Sequence, residues 1–157
     1  MKTLHLNLKK KWFEMTHKEL TEKCARWLKN HTENARVPNC PVIAKDLVTS
    51  AGETPDVLGF NGGCSVLIEV KISRSDFIAD RKKFFREFSE MGMGQLRLYC
   101  CQPELIKIED LPENWGLLYL NEKNKIEIIF YPEIQNANIK NERNVLLSII
   151  RRLKKGA

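Results

Sequence analysis

Thr54–Ile72 constrains the fold of this 157-residue chain more than any other stretch. Two short β-forming runs, Thr54–Phe60 and Cys64–Ile72, flank Asn61-Gly62-Gly63, a tripeptide that reverses a chain at little steric cost. The pattern predicts an antiparallel hairpin. Side chains alternate faces along a strand. Val66, Ile68, Val70 and Ile72 therefore share one apolar face, and Ser65, Leu67, Glu69 and Lys71 the other. Asp56 lies with Leu58 and Phe60. If Gly62-Gly63 is the loop, Asn61 pairs with Cys64 and Asp56 faces Glu69 directly. If Asn61-Gly62 is the loop, Glu69 is a diagonal neighbour of Asp56. In both registers the two carboxylates share a face. Directly opposed Cβ atoms sit roughly 4.5–5.5 Å apart, and like charges that close destabilise a strand pair. A proton, a nearby cation or a divalent metal must offset them. Lys71 is on the same face.

The rest of the chain supplies elements around this hairpin. Thr16 and Glu19 form a capping box, and Leu20, Cys24, Trp27 and Leu28 fall on one face of a helix ending near Asn30. Leu4, Leu6 and Leu8 alternate with polar residues as in a short strand. Pro38–Thr49 reads as loop then strand. Ser73–Asp76 has capping-box form and opens a second helix to about Glu90, ended by Gly92 and Gly94. Gln95–Cys101 is a strand, and Pro103–Asn114 a loop with one helical turn. Gly116–Leu120 and Lys125–Tyr131 form another hairpin. Val145, Leu146, Ile149, Ile150 and Leu153 line one face of a C-terminal helix. The expected architecture is a single α/β domain with a mixed central sheet flanked by helices.

Composition narrows the class. Apolar residues make up 43% and charged residues 29%, an ordinary globular balance that excludes collagen-like, disordered and coiled-coil chains. No apolar run is long enough to span a membrane. Met1–Lys11 is basic and then polar, without the apolar stretch of a secretory signal, which carries the expectation of a cytoplasmic protein. Five cysteines occur with no C-x-x-C and no ligand spacing to the three histidines, so they read as reduced thiols, mostly in the core. The net charge of +6 modestly favours a polyanionic partner.

Two carboxylates and a lysine on one face are the parts for metal-assisted phosphodiester hydrolysis. Hard oxygen ligands suit Mg²⁺, or Mn²⁺ in its place. Such an ion acidifies a bound water and neutralises charge, and the lysine can orient that water or stabilise the developing oxyanion. The competing reading of a lone E-x-K is a solvated strand face with a weak salt bridge. A facing carboxylate on a short strand that starts near Pro55 argues for the site.

Pro55-Asp56, twelve residues, then Glu69-Val70-Lys71 resembles the signature of the PD-(D/E)xK nuclease superfamily. Glu69–Phe77, Asp80-Arg81-Lys82-Lys83, Gly92-Met93-Gly94 and Leu111–Leu118 are similar to its MmcB-like branch, labelled as DNA repair proteins, and to related phage and bacterial proteins. The resemblance runs from Thr16 to Leu120. It implies a restriction-endonuclease-like αβββαβ core acting on DNA, in repair or phage DNA processing. It also implies Asp56 and Glu69 as metal ligands, the Val70 carbonyl as a further ligand, and Lys71 as the catalytic lysine. Many members place an acid on the first helix. Here His17 falls on the sheet-facing arc instead, either as a site residue or as a hydrogen-bonded core histidine. A non-catalytic DNA-binding module, or a subunit of a repair complex, is the alternative. A homodimer is a further expectation, with the Lys125–Tyr131 edge as one candidate surface.

A continuous second helix would place Phe77, Ile78, Phe84, Phe85 and Phe88 on one arc, with Arg81 in its middle and Arg74 near it. Either arginine could pair with a site carboxylate or contact a phosphate. The alternative is an ion pair with Asp80 or Glu87, or a stem lying along the core. Lys82, Lys83 and Arg86 fall on the other faces, where they track a nucleic-acid backbone or form a solvated face.

Overall fold

A computed structural model describes residues 15–32, 36–47, 49 and 52–156. The alternating stretch at Leu4, Leu6 and Leu8 lies outside them. The element order is helix α1 (His17–Asn30), strands β1 (Val42–Lys45), β2 (Val57–Phe60) and β3 (Ser65–Val70), helices α2 (Arg74–Arg81) and α3 (Phe84–Glu87), β4 (Leu96–Cys101), β5 (Trp115–Leu120), β6 (Ile126–Phe130) and helix α4 (Ile139–Lys155). The strands form one six-stranded sheet in the order β1 to β6. β3, β4 and β5 run parallel, and the other neighbours pair antiparallel.

Local chemistry explains the first helix. The Thr16 hydroxyl accepts from the Glu19 N–H at 3.2 Å, and the Glu19 carboxylate accepts from the Thr16 N–H at 2.8 Å. Two N-terminal amides that no helical carbonyl can reach are thereby satisfied. Leu20, Cys24 and Leu28 then face inward with Val57, Val66, Ile68 and Val70.

The hairpin register is the one in which Asn61 pairs with Cys64: Val57 stands opposite Ile68, and Phe60 opposite Ser65. Neither Gly62 nor Gly63 has a positive φ. Instead the Asn61 side chain closes the turn by accepting from the Gly63 N–H at 3.0 Å, while its amide donates to the Asn39 carbonyl. β2 is an interior strand between β1 and β3, and Pro55 precedes its start.

Polar and apolar faces do not separate as the alternation suggested, because both faces of β3 are covered. Every residue of β3 and β4 is buried. Phe77 of α2 and Val145 of α4 close the second face over Leu58, Leu67, Tyr99 and Leu117. Polar side chains on that face need buried partners, and they have them: the Ser65 hydroxyl donates to Glu142 at 2.7 Å. On α4 the apolar arc reaches the core at Val145 and, partly buried, at Ile149. Val145 is buried, whereas Ile150 and Leu153 are exposed. All five cysteines are free thiols. Burial pushes Cys40 and Cys101 up to about 12, so both stay protonated in the core.

The second helix departs most from expectation. It stops at Arg81. The Lys82 and Lys83 amides turn back to the Ala79 and Asp80 carbonyls, and Lys83 is extended before α3 begins. Phe84 and Phe88 consequently point outward, at 59% and 43% exposure, and only Phe77 of the expected arc is buried.

α1 sits close on the sheet because β2 carries glycine where they touch. A Cβ built on Gly59 would lie 2.6 Å from Leu28 Cδ2 and 2.7 Å from Cys40 Cβ. Gly59→Ala should therefore cost about 1–3 kcal/mol of stability, read from the urea midpoint. A loss below a few tenths would contradict the close packing.

Candidate active site

β3 delivers three groups to one place. Glu69 is its penultimate residue, Val70 ends it, and Lys71 begins the turn into α2, whose N-cap Ser73 accepts from the Asp76 N–H. Asp56 stands just ahead of β2. Its Oδ2 accepts from the Val70 N–H at 2.8 Å, which ties the loop to the strand end. His17, in the first turn of α1, places Nε2 3.3 Å from Asp56 Oδ1. Its ring is 42% exposed, so it belongs to the site rather than to the core. Together with Asp76, Asp80 and Lys83 these groups line a cavity of about 500 Å³.

The charges here are buried and must balance. Lys71 Nζ, 8% exposed, lies 3.4 Å from Glu69 Oε2 and 3.4 Å from Asp80 Oδ1. Lys83 Nζ is 2.9 Å from Asp80 Oδ1. Asp80 also accepts from the Tyr99 hydroxyl at 2.7 Å. The main counterion is Arg86, whose side chain is 2% exposed. Its guanidinium reaches Asp80 at 2.9 Å, Glu69 at 3.3 Å and Glu53 at 3.4 Å. It lies near the faces of Phe85 and Trp115, 4.9 and 4.8 Å from the ring centres. A guanidinium is suited to this, being planar, permanently charged and able to donate in several directions.

These contacts set the protonation of the cluster. Burial raises Glu69 to about 7; Arg86 and Lys71 oppose the rise, and the nearby Asp56 and Asp80 charges add to it. Burial likewise raises Glu53, against the pull of Arg86 and of the Met93 N–H that it accepts at 2.9 Å. For Asp80, burial is overcome by Arg86 and Lys71, which hold it well below the usual carboxylate range.

The sequence-derived residues thus divide. Asp56, Glu69, Lys71 and His17 come together, with Val70 at the strand end. Lys83 joins them at the cavity, and Lys82 is exposed beside it. Arg74 and Arg81 do not reach a site carboxylate. Arg74 makes a two-pronged pair with Asp110, and Arg81 donates to the Asp110 carbonyl at 3.1 Å. Arg86, expected on an outer face, is instead the buried hub. The sequence offers Asp80 only within the Asp80–Lys83 stretch and as an ion-pair partner for Arg74 or Arg81, not as a site residue, although it lies one turn after Phe77 on the buried side of α2. Glu53 and Tyr99 had no signal.

Among the described residues no group of three His, Cys, Asp or Glu side chains is poised to hold a metal. The donor set available to one is Asp56, Glu69 and the Val70 carbonyl, all hard oxygens that suit Mg²⁺ with water completing its shell. Burial is the main cause of the raised Glu69, and the smaller contribution from the Asp56 charge marks the two carboxylates as close enough to share a cation.

No family model matches the chain, and no curated protein matches it. The fold is similar to a solved protein of unknown function from Silicibacter pomeroyi, with a TM-score of 0.63 and 24% identity over 90% of this chain and 91% of that one. The likeness extends to the fold alone. Among the described residues, no helix is long and apolar enough to cross a membrane.

Removing Arg86 leaves three buried carboxylates without their shared counterion. Arg86→Met should lose about 3–5 kcal/mol at neutral pH, as buried pairs do when one partner is deleted. Glu69 and Glu53 are already raised and would rise further. A carboxyl whose folded pKa is raised binds a proton that the unfolded chain has released, so its penalty grows as pH rises from about 4.5 through the folded value. Wild type carries the same penalty up to its own folded Glu69 value, so the deficit of the variant should widen in urea melts as pH rises through and above about 7. A loss that is independent of pH would contradict the arrangement.

Proposed function

We propose that this protein is a divalent-metal-dependent nuclease that hydrolyses phosphodiester bonds in DNA. The observation that carries this reading is the grouping of Asp56, Glu69 and Val70 with a nearly buried Lys71 on one cavity. Three hard oxygens and an ammonium are the complement of a phosphodiester and an attacking water. The order of elements, one helix, three strands, a broken helical segment and a fourth strand, is compatible with the αβββαβ core that the resemblance implies. The PD-(D/E)xK-like motif that these residues occupy supports the reading. DNA repair or phage DNA processing is the setting the MmcB-like resemblance suggests.

Mg²⁺, or Mn²⁺, when bound by Asp56, Glu69 and the Val70 carbonyl would supply charge neutralisation and an acidified water. The chain does the rest. Lys71 is fixed between Glu69 and Asp80, so its ammonium can orient the water and stabilise charge on the phosphate oxygens without reorganising. The water gives up a proton to solvent as its oxygen forms the new bond to phosphorus, the ester P–O bond breaks, and the leaving oxygen takes a proton from solvent. Asp80 and Arg86 are positioning residues: they hold Lys71 and Glu69. Lys82 and Lys83, exposed at the rim, can neutralise flanking phosphates.

One observation favours the alternative, a DNA-binding module or repair-complex subunit without turnover. His17 covers Asp56 Oδ1, an oxygen that a metal ligand has to expose. A cleavage assay separates the two readings. Supercoiled, linear, branched and single-stranded DNA are incubated with Mg²⁺, Mn²⁺ or EDTA. The nuclease reading expects metal-dependent cleavage, abolished in Glu69→Gln and lowered about 10²–10³-fold in Lys71→Ala. Salt-sensitive DNA binding without cleavage, unchanged in both variants, would favour the module. Neither cleavage nor binding would point to a protein partner.

A further inference from the structure

A second cavity, of about 480 Å³, opens at the far end of α1. Trp27 lies ten residues beyond His17, roughly 15 Å along the helix axis, so the two cavities are separate. Lys23 and Arg26 line it from α1, and Lys125 from the turn before β6. Trp27 forms a wall, and the side-chain amides of Asn30 and Asn124 border it.

Three properties of this cavity combine. First, it is cationic: among the described residues no aspartate or glutamate lines it. Glu19 and Glu22, the acids earlier on the helix, are already engaged. Glu19 closes the capping box, and Glu22 holds Lys45 at 2.6 Å. Lys23, Arg26 and Lys125 make no ion pair within 4.0 Å of any described carboxylate, and Glu19 and Glu22 act on Lys23 and Arg26 only at longer range, so three positive charges border the cavity. Second, the aromatic wall is rigid. The Trp27 ring is stacked on His31 with centres 4.1 Å apart and planes 6° from parallel, and His31 is buried. Third, amides with donors and acceptors stand at the edge. Asn30 spends one N–H on the Arg26 carbonyl and keeps its oxygen and second N–H.

An anion alone would need the cations but neither the ring nor the amides. A planar apolar ligand would need the ring but not three unpaired cations. A nucleotide needs all three, since its phosphate pairs with the cations, its base stacks on an aromatic face, and its base edge bonds to side-chain amides. The volume is in the range of small-ligand sites. We propose that this cavity binds one nucleotide unit, either a free nucleotide or one residue of a single-stranded nucleic acid. The proposal does not depend on nuclease activity at the other cavity.

The test is calorimetric titration of the full chain with AMP, dTMP, a short oligothymidylate and inorganic phosphate, in EDTA. Both mononucleotides and the oligonucleotide are expected to bind if the site takes free nucleotides. Binding of the oligonucleotide alone assigns it to a strand. In either case Arg26→Glu and Lys125→Glu, both at exposed positions, should each weaken binding about tenfold or more. Trp27→Leu should weaken the nucleotides and leave any phosphate binding unchanged. Lys71→Ala and Glu69→Gln should leave the mononucleotide affinities unchanged, which separates this site from the proposed nuclease centre. Three results would overturn the proposal. They are no binding by any nucleotide probe, phosphate binding as tight as nucleotide binding, and affinities that respond to Lys71→Ala but not to the two charge reversals.

Discussion

One buried guanidinium allows the end of β3 to carry its charges. Glu53, Glu69 and Asp80 converge beneath the sheet surface, and each would cost several kcal/mol to bury ionised and alone. Arg86 touches all three at 2.9–3.4 Å while lying near the Phe85 and Trp115 ring faces. Its position is possible only because the chain breaks at Lys82 and Lys83. A continuous helix would carry residue 86 along a different axis. The break therefore does two things at once: it turns Phe84 and Phe88 outward, and it sends an arginine inward.

The same cluster shapes the reactive end. Asp80 is shared by Arg86, Lys71, Lys83 and Tyr99, and so anchors the lysine. Glu69 is pulled one way by Arg86 and Lys71 and pushed the other by burial and by Asp56. Rigidity is the result. The lysine has carboxylates on two sides and little solvent, so it stays where the fold sets it. A second buried arginine performs a purely structural task. Arg97 donates to the carbonyls of Ser89, Gly92, Gly94 and Asn136, and so fixes the turn that leads from α3 into β4.

Local signals in the sequence reached as far as local physics does. Thr16 and Glu19 announce the start of α1, and the helix begins where they place it. Asn61-Gly62-Gly63 gives the hairpin, and the pairing of Asn61 with Cys64 is one of the two registers that counting allows. Asp56, Glu69 and Lys71 could be brought to one face by alternation alone, and His17 by the helical wheel. Arg86, Asp80 and Glu53 could not be found in the same way. Helical periodicity assumes one axis, and two short-range turns at Lys82 and Lys83 end that axis without proline or glycine to mark the place. Alternation also suggests a polar face on β3, but α2 and α4 cover it, which no pattern inside the strand reveals. Arg74 and Arg81 pair with Asp110 across a loop, and only the tertiary fold brings them together.

The proposed chemistry requires a divalent cation beside Asp56 and Glu69, so locating that ion is the most direct measurement. Crystals of the protein grown with Mn²⁺ would report it by anomalous scattering at the manganese edge. The account predicts one ion bound by oxygens of Asp56 and Glu69 and by the Val70 carbonyl, with His17 turned away from Asp56 Oδ1. No ion at that position at millimolar Mn²⁺, with His17 still against Asp56, would contradict it.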